Sequence, residues 1–171
     1  NKKFKLGPAI LSLGLVLSRS LKADLVHIAK PHMDALRDQY QESVVLEVLS
    51  TKHVVIAYIS EGPKRIRLAG EIGDLLPVHA ASGSKAILAY STPEVRNNLL
   101  GQELNRFTPN TITDLDTLMG QFEEIREKGV AFDIGENDID MNAIGAPILN
   151  IEERPVAAIV VAGFSRNIDI S

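Results

Sequence analysis

Ser82 and Lys85 are the first residues whose types and spacing could do chemistry, for three positions apart on a helix they share a face. In a Ser-x-x-Lys acyl enzyme the lysine deprotonates the serine, but the companion Ser-Asp-Asn and Lys-Thr-Gly motifs do not follow here. A second candidate is the backbone of the same stretch. Pro77 imposes an extended lead-in, Ala80, Ala81, Ser82 and Gly83 are small, and Ala86, Ile87 and Ala89 favour helix, so a helix is expected to begin near Ala80 or Ala81. Its first-turn N–H groups lie under side chains too small to cover them, which suits a carboxylate or a phosphate. Small residues also let a helix pack closely on a sheet, and the stretch alone does not separate the two readings. The third candidate is acidic: Asp133, Glu136, Asp138 and Asp140. No calcium-loop register places glycine sixth and glutamate twelfth among them, so the last three are expected in a solvated turn. Asp133, which closes the apolar run Val130-Ala131-Phe132, is the acid expected to point into a cavity.

Other chemistry is bounded by what the composition contains. There is no cysteine, which rules out disulfides and thiolate metal sites and agrees with a reducing compartment. His27 and His32 are spaced off a common helical face and His53 and His79 fall in separate elements, so neither a metal site nor a cofactor is expected. A length of 171 residues, 45% of them hydrophobic and 23% charged, describes one globular domain. The net charge of −4 gives the piece no electrostatic grip on nucleic acid, and the groups Lys2, Lys3, Lys5 and Lys64, Arg65, Arg67 read as solvated surface. The apolar run from Leu6 to Leu17 imitates a signal peptide, yet Ser18-Arg19-Ser20-Leu21 is no small-x-small cleavage site. The run is also short of the roughly 20 apolar residues that span a bilayer, so a cytoplasmic protein without membrane contact is expected.

The elements that must position these groups follow from periodicity and punctuation. Pro8 opens a helix through Leu17 that is apolar around most of its circumference, the mark of an interface helix buried on two sides. Asp24 is the expected N-cap of a second helix to about Tyr40, bent or restarted at Pro31. Val44–Leu49, Val54–Ile59 and Arg65–Ala69 then read as three strands of an antiparallel meander. Beyond the helix near Ala81, Ser91-Thr92-Pro93-Glu94 starts a short helix ending near Gly101. Thr113 and Asp116 form a capping box for a helix that Gly129 ends. Val130–Asp133, Ala143–Leu149 and Val156–Ala162 are the remaining strands. The order predicts an α+β fold, one mostly antiparallel sheet of about six strands with helices on its faces. Ser165 to Ser171 complete no element, as though a final helix were cut away.

Leu76-Pro77-Val78-His79-Ala80, with Lys85-Ala86 and Leu88-Ala89, resembles the signature of the effector-binding domain of IclR-family bacterial transcription regulators. Lys5-Leu6-Gly7-Pro8, Ala29-Lys30-Pro31, Phe107-Thr108-Pro109-Asn110-Thr111-Ile112-Thr113-Asp114, Ile125-Arg126 with Gly129-Val130-Ala131, and Ala146-Pro147-Ile148 resemble other motifs of that family in the same order. The resemblance implies a GAF-like fold over residues 1–171, a non-enzymatic sensor and oligomerisation domain, and dimers or tetramers. It implies a small organic acid as effector, and DNA contact only through an N-terminal winged helix-turn-helix that lies outside these residues. Carried over by position, the effector site is Ser82, Gly83, Asp133, Met141, Ala143, Val160 and Ala162. Where the family presents two serines on its last strand, Val160 and Ala162 offer methyl groups, so hydroxylated aromatic or branched acids are expected to outrank glyoxylate and pyruvate. The rival readings are the acyl enzyme on Ser82 and Lys85 and an oligomerisation domain with a vestigial pocket.

Overall fold

The computed structural model describes residues 21–50, 52–63, 70–101 and 103–170, with side chains in the first helix described from residue 25. The apolar helix expected at Pro8–Leu17 and the strand expected at Arg65–Ala69 lie outside the described residues. In chain order the elements are α1 (Leu21–Tyr40), β1 (Ser43–Leu49), β2 (Val54–Ser60), α2 (Ser82–Tyr90), α3 (Pro93–Leu100), α4 (Leu115–Lys128), β3 (Ala131–Ile134), β4 (Met141–Leu149) and β5 (Pro155–Phe164). The five described strands form one antiparallel sheet in the order β2-β1-β5-β4-β3. This is the expected α+β architecture, one strand short of the six within the described residues.

Alternation along the strands divides the core between two faces. Val44, Leu46 and Val48 of β1, with Ala157 of β5, pack under Ala29 and Met33 of α1. On the other face Ala158 of β5 meets a cluster formed by Ile87 and Leu88 of α2 and by Leu118, Phe122 and Ile125 of α4. Phe122 and Leu118 are fully buried there, each worth about 1.5–3 kcal/mol of transfer free energy. The helix α2 can lie so close to β4 because glycine sits on both sides of the contact. A Cβ on Gly145 would come within 2.7 Å of the Gly83 backbone nitrogen.

Three local expectations are corrected. The chain is already helical at Leu21, so Asp24 is not an N-cap. The helix α1 also does not restart at Pro31 but continues through it to Tyr40, with the proline at an exposed position. The cap of α4 is Asp114, whose carboxylate accepts the Thr117 N–H at 2.8 Å. Thr113 instead accepts from Arg106 at 2.9 Å, so no Thr113–Asp116 capping box forms. The remaining boundaries follow the sequence: Thr92 caps α3, and Gly129 ends α4 in the left-handed region at φ 76°.

Candidate functional site

The helix α2 starts at Ser82, with Ala81 as an N-cap that contributes no side-chain hydrogen bond. The amides of its first turn therefore face outward from the helix end without help from the cap. Above them the sheet is lined by small and apolar side chains, since Ala143 pairs with Ala162 and Gly145 with Val160 across β4 and β5. The result is a pocket of about 90 Å³. Ser82, Asp133, Met141, Ala143, Val160 and Ala162 all line it, so six of the seven residues expected from the sequence meet at one place. Gly83, the seventh, contributes space rather than contact. A Cβ there would stand 2.5 Å from both Glu47 Cδ and Val160 Cγ2.

Sequence reasoning missed Glu47. It lies on β1, is 4% exposed, and reaches the start of α2 through the gap that Gly83 leaves. Ser84 Oγ donates to Glu47 Oε2 at 3.1 Å, so a carboxyl of the chain itself already sits where an outside anion was expected to dock. Burial pushes the Glu47 carboxyl up to about 8; the Ser84 hydroxyl and amide oppose the shift and the charge of Asp133 adds to it. A glutamate inside Val44-Val45-Leu46-Glu47-Val48-Leu49 was the available signal, because a strand buried on both faces has no water for a charge.

Asp133 is 6% exposed, is the last residue but one of β3 and lines the same pocket. Its Oδ1 accepts the amides of Glu136 at 2.7 Å and Asn137 at 3.3 Å, which folds the acidic turn back over the pocket. Burial raises its carboxyl to about 6 against those two amides and the nearby Lys85. The turn is not wholly solvated as expected, for Glu136 is buried and takes an ion pair from Lys85 Nζ at 2.5 Å. Lys85 is fully buried and also donates to Gln121 at 3.3 Å. Thr108 Oγ1 donates to the Gly135 carbonyl and Thr111 Oγ1 to the Glu136 carbonyl, both at 2.6 Å. His79 Nε2 meets the Asn105 carbonyl at 2.8 Å and its ring lies against Phe107. The conspicuous His79, Lys85 and Phe107–Thr113 segments thus hold the pocket's walls together.

These engagements decide against the acyl enzyme. Lys85 Nζ is committed to Glu136, while the Ser82 hydroxyl is buried without a hydrogen-bond partner, so no base addresses the serine. Fold and pocket together define a class: an α+β domain that encloses a small cavity without assembling a nucleophile and its base. The sequence matches the family model described as "Bacterial transcriptional regulator IclR C-terminal" over residues 18–169. The chain belongs to the IclR family of bacterial transcriptional regulators and carries its C-terminal domain. It is 28% identical over 170 residues to the HTH-type transcriptional regulator XynR of Escherichia coli K12, covering 99% of this chain and 67% of that protein. It is 30% identical over 141 residues to the HTH-type transcriptional repressor AllR of Salmonella paratyphi A, covering 82% of this chain and 52% of that protein. An IclR homolog complexed with 4-hydroxybenzoate, from Microbacterium hydrocarbonoxydans, superposes with a TM-score of 0.84 at 26% identity, covering 96% of this chain and 68% of that one. The chain therefore spans between about half and two thirds of the curated relatives it matches. Those relatives are named as transcriptional regulators.

Proposed function

We propose that residues 1–171 are the sensing and oligomerising part of a cytoplasmic transcription regulator, and that a small organic acid in the α2 pocket biases DNA binding by a domain attached elsewhere in the protein. The observation that carries this reading is the Ser82 hydroxyl, buried and unpartnered at a pocket that Asp133, Met141, Ala143, Val160 and Ala162 also line. A buried hydroxyl without a partner costs about 1–3 kcal/mol, and a ligand oxygen placed beside it recovers that cost. Size narrows the ligand. The pocket is about 90 Å³ and open on one side, so it suits a small acid whose apolar body lies along its walls. Glyoxylate and pyruvate would fit but leave oxygens unpaired against the methyl groups of Val160 and Ala162. A hydroxylated branched or aromatic acid suits those walls, its apolar part on the methyl groups and its hydroxyl on Asp133.

Calorimetry with glyoxylate, pyruvate, 2-hydroxyisobutyrate, 2-hydroxyisovalerate and 4-hydroxybenzoate tests the reading. The hydroxylated branched and aromatic acids should bind more tightly than glyoxylate and pyruvate, and Asp133→Ala should weaken the best of them by about tenfold or more, the worth of one lost hydrogen bond to a charged group. Tightest binding by glyoxylate would show that the walls are wrongly assigned. No binding by any acid would leave the pocket vestigial and the domain an oligomerisation module.

A further inference from the structure

We propose that the Glu47 carboxyl receives the effector's carboxylate and donates its own acid proton to it, while Asp133 accepts the effector's hydroxyl. The proposal rests on the organic-acid reading above and deepens it by naming the group that meets the anion. Among the described residues lining the pocket there is no lysine, arginine or histidine to do so. Lys85, one turn along α2, is taken by Glu136 and Gln121. The donors left at the α2 end of the pocket are the unpartnered Ser82 hydroxyl, the first-turn amides, and Glu47.

Glu47 is shaped for this role. Its Oε2 is fixed by Ser84 Oγ, and the carboxyl lies in the space that Gly83 leaves beside Val160. The carboxyl also lies near the Ser84 amide, and it lines the pocket among the apolar side chains of Val45, Ile56, Ala143 and Val160. The charge that acts on it is that of Asp133 on β3, and Asp138 lines the same pocket. A second negative charge at Glu47 is disfavoured there, and burial keeps the proton on it up to about pH 8. Asp133, raised only to about 6, is ionised between about pH 6 and pH 8 while Glu47 keeps its proton, and is left as the acceptor. Two acids with separated titrations thus give the cavity a donor end and an acceptor end, the pattern that a hydroxy acid complements.

The consequence is a proton-linked affinity. Above the Glu47 titration the carboxyl must regain a proton before an anion can sit against it, so the affinity for 2-hydroxyisovalerate should fall about tenfold between pH 7 and pH 9. In Glu47→Gln, whose amide donates at every pH, the same interval should change the affinity less than about twofold. Carbon-13 detection of the Glu47 carboxyl in the ligand-free protein, assigned by its loss in Glu47→Gln, supplies a second readout that needs no ligand and should give a midpoint of about 8. Titration of that carboxyl below about pH 6, equal and pH-independent binding by both proteins, or tighter binding of the cationic analogue valinol would each overturn the proposal. If no acid binds either protein while Glu47 still titrates at about 8, the organic-acid reading itself falls and takes this ligand assignment with it.

Discussion

Glu47 carries a proton at neutral pH that an exposed glutamate would have released, and this has a stability consequence separate from any ligand. Between the ordinary glutamate value of 4.5 and about 8, the folded chain holds a proton there that the unfolded chain has lost. The unfolded state binds fewer protons throughout that window, so stability falls as pH rises across it. Replacement by glutamine removes the titration but keeps the shape and the acceptor for Ser84. Urea unfolding at pH 5, 6.5 and 8 should therefore show Glu47→Gln gaining on the parent as pH rises, by on the order of a few kcal/mol at the top of the window. Parallel stabilities at all three pH values would mean that Glu47 is solvated and ionises normally. Lys85 and Glu136 illustrate the opposite case, a buried acid with a cation at 2.5 Å, where removing either partner would strand a charge.

At the scale of elements, the approach of α2 to β4 decides whether there is a pocket at all. The atoms that a Gly145 side chain would meet are Gly83 N at 2.7 Å and Ser82 C at 2.8 Å, both backbone, which no rotamer change can move aside. Gly145→Ala should push α2 off the sheet, lower stability by about 1–3 kcal/mol in urea titration and abolish effector binding. Gly120 in α4 is exposed, with nothing within 4 Å of its would-be Cβ. Gly120→Ala is the matched control, expected to stabilise by about 0.5–1 kcal/mol. If both glycines tolerate alanine alike, the close approach is not a constraint. The same contrast explains what the sequence could reveal. Gly129, Pro93 with Thr92, and the alternation of β4 and β5 act through their immediate neighbours, and each is legible in a window of a few residues. Thr113 and Asp114 are adjacent and both able to cap, so local chemistry alone does not choose; Arg106, seven residues before Thr113, takes the threonine and leaves the cap to the aspartate. The pocket wall was legible through the family likeness of Ser82, Asp133, Met141, Ala143, Val160 and Ala162. Glu47 left one local signal, a charge inside an apolar strand, but its role was not legible, because its partner Ser84 lies 37 positions away and β1 is flanked on both sides only in the folded sheet.

At the scale of the molecule, the described residues Leu36, Tyr40, Ile144, Ile159, Val161 and Ile168 border a cleft of about 460 Å³ on the sheet's second face. Apolar surface of that kind, together with exposed Ile28 and Tyr40, agrees with the proposed dimers or tetramers. Light scattering of this chain at micromolar concentration should give a mass at least twice the 18.6 kDa of one copy, and a monomer would count against the association. The strand order β2-β1-β5-β4-β3 has a consequence in time. Among the five described strands the middle one, β5, comes last in the chain, and both β1 and β4 pair with it. Until Pro155–Phe164 has emerged, β1-β2 and β3-β4 are two separate hairpins, each with an open edge. The regulator's nascent chain therefore cannot close its sheet gradually as it is made. It must wait, with those edges exposed to neighbouring chains and chaperones, for a single late strand to join the halves.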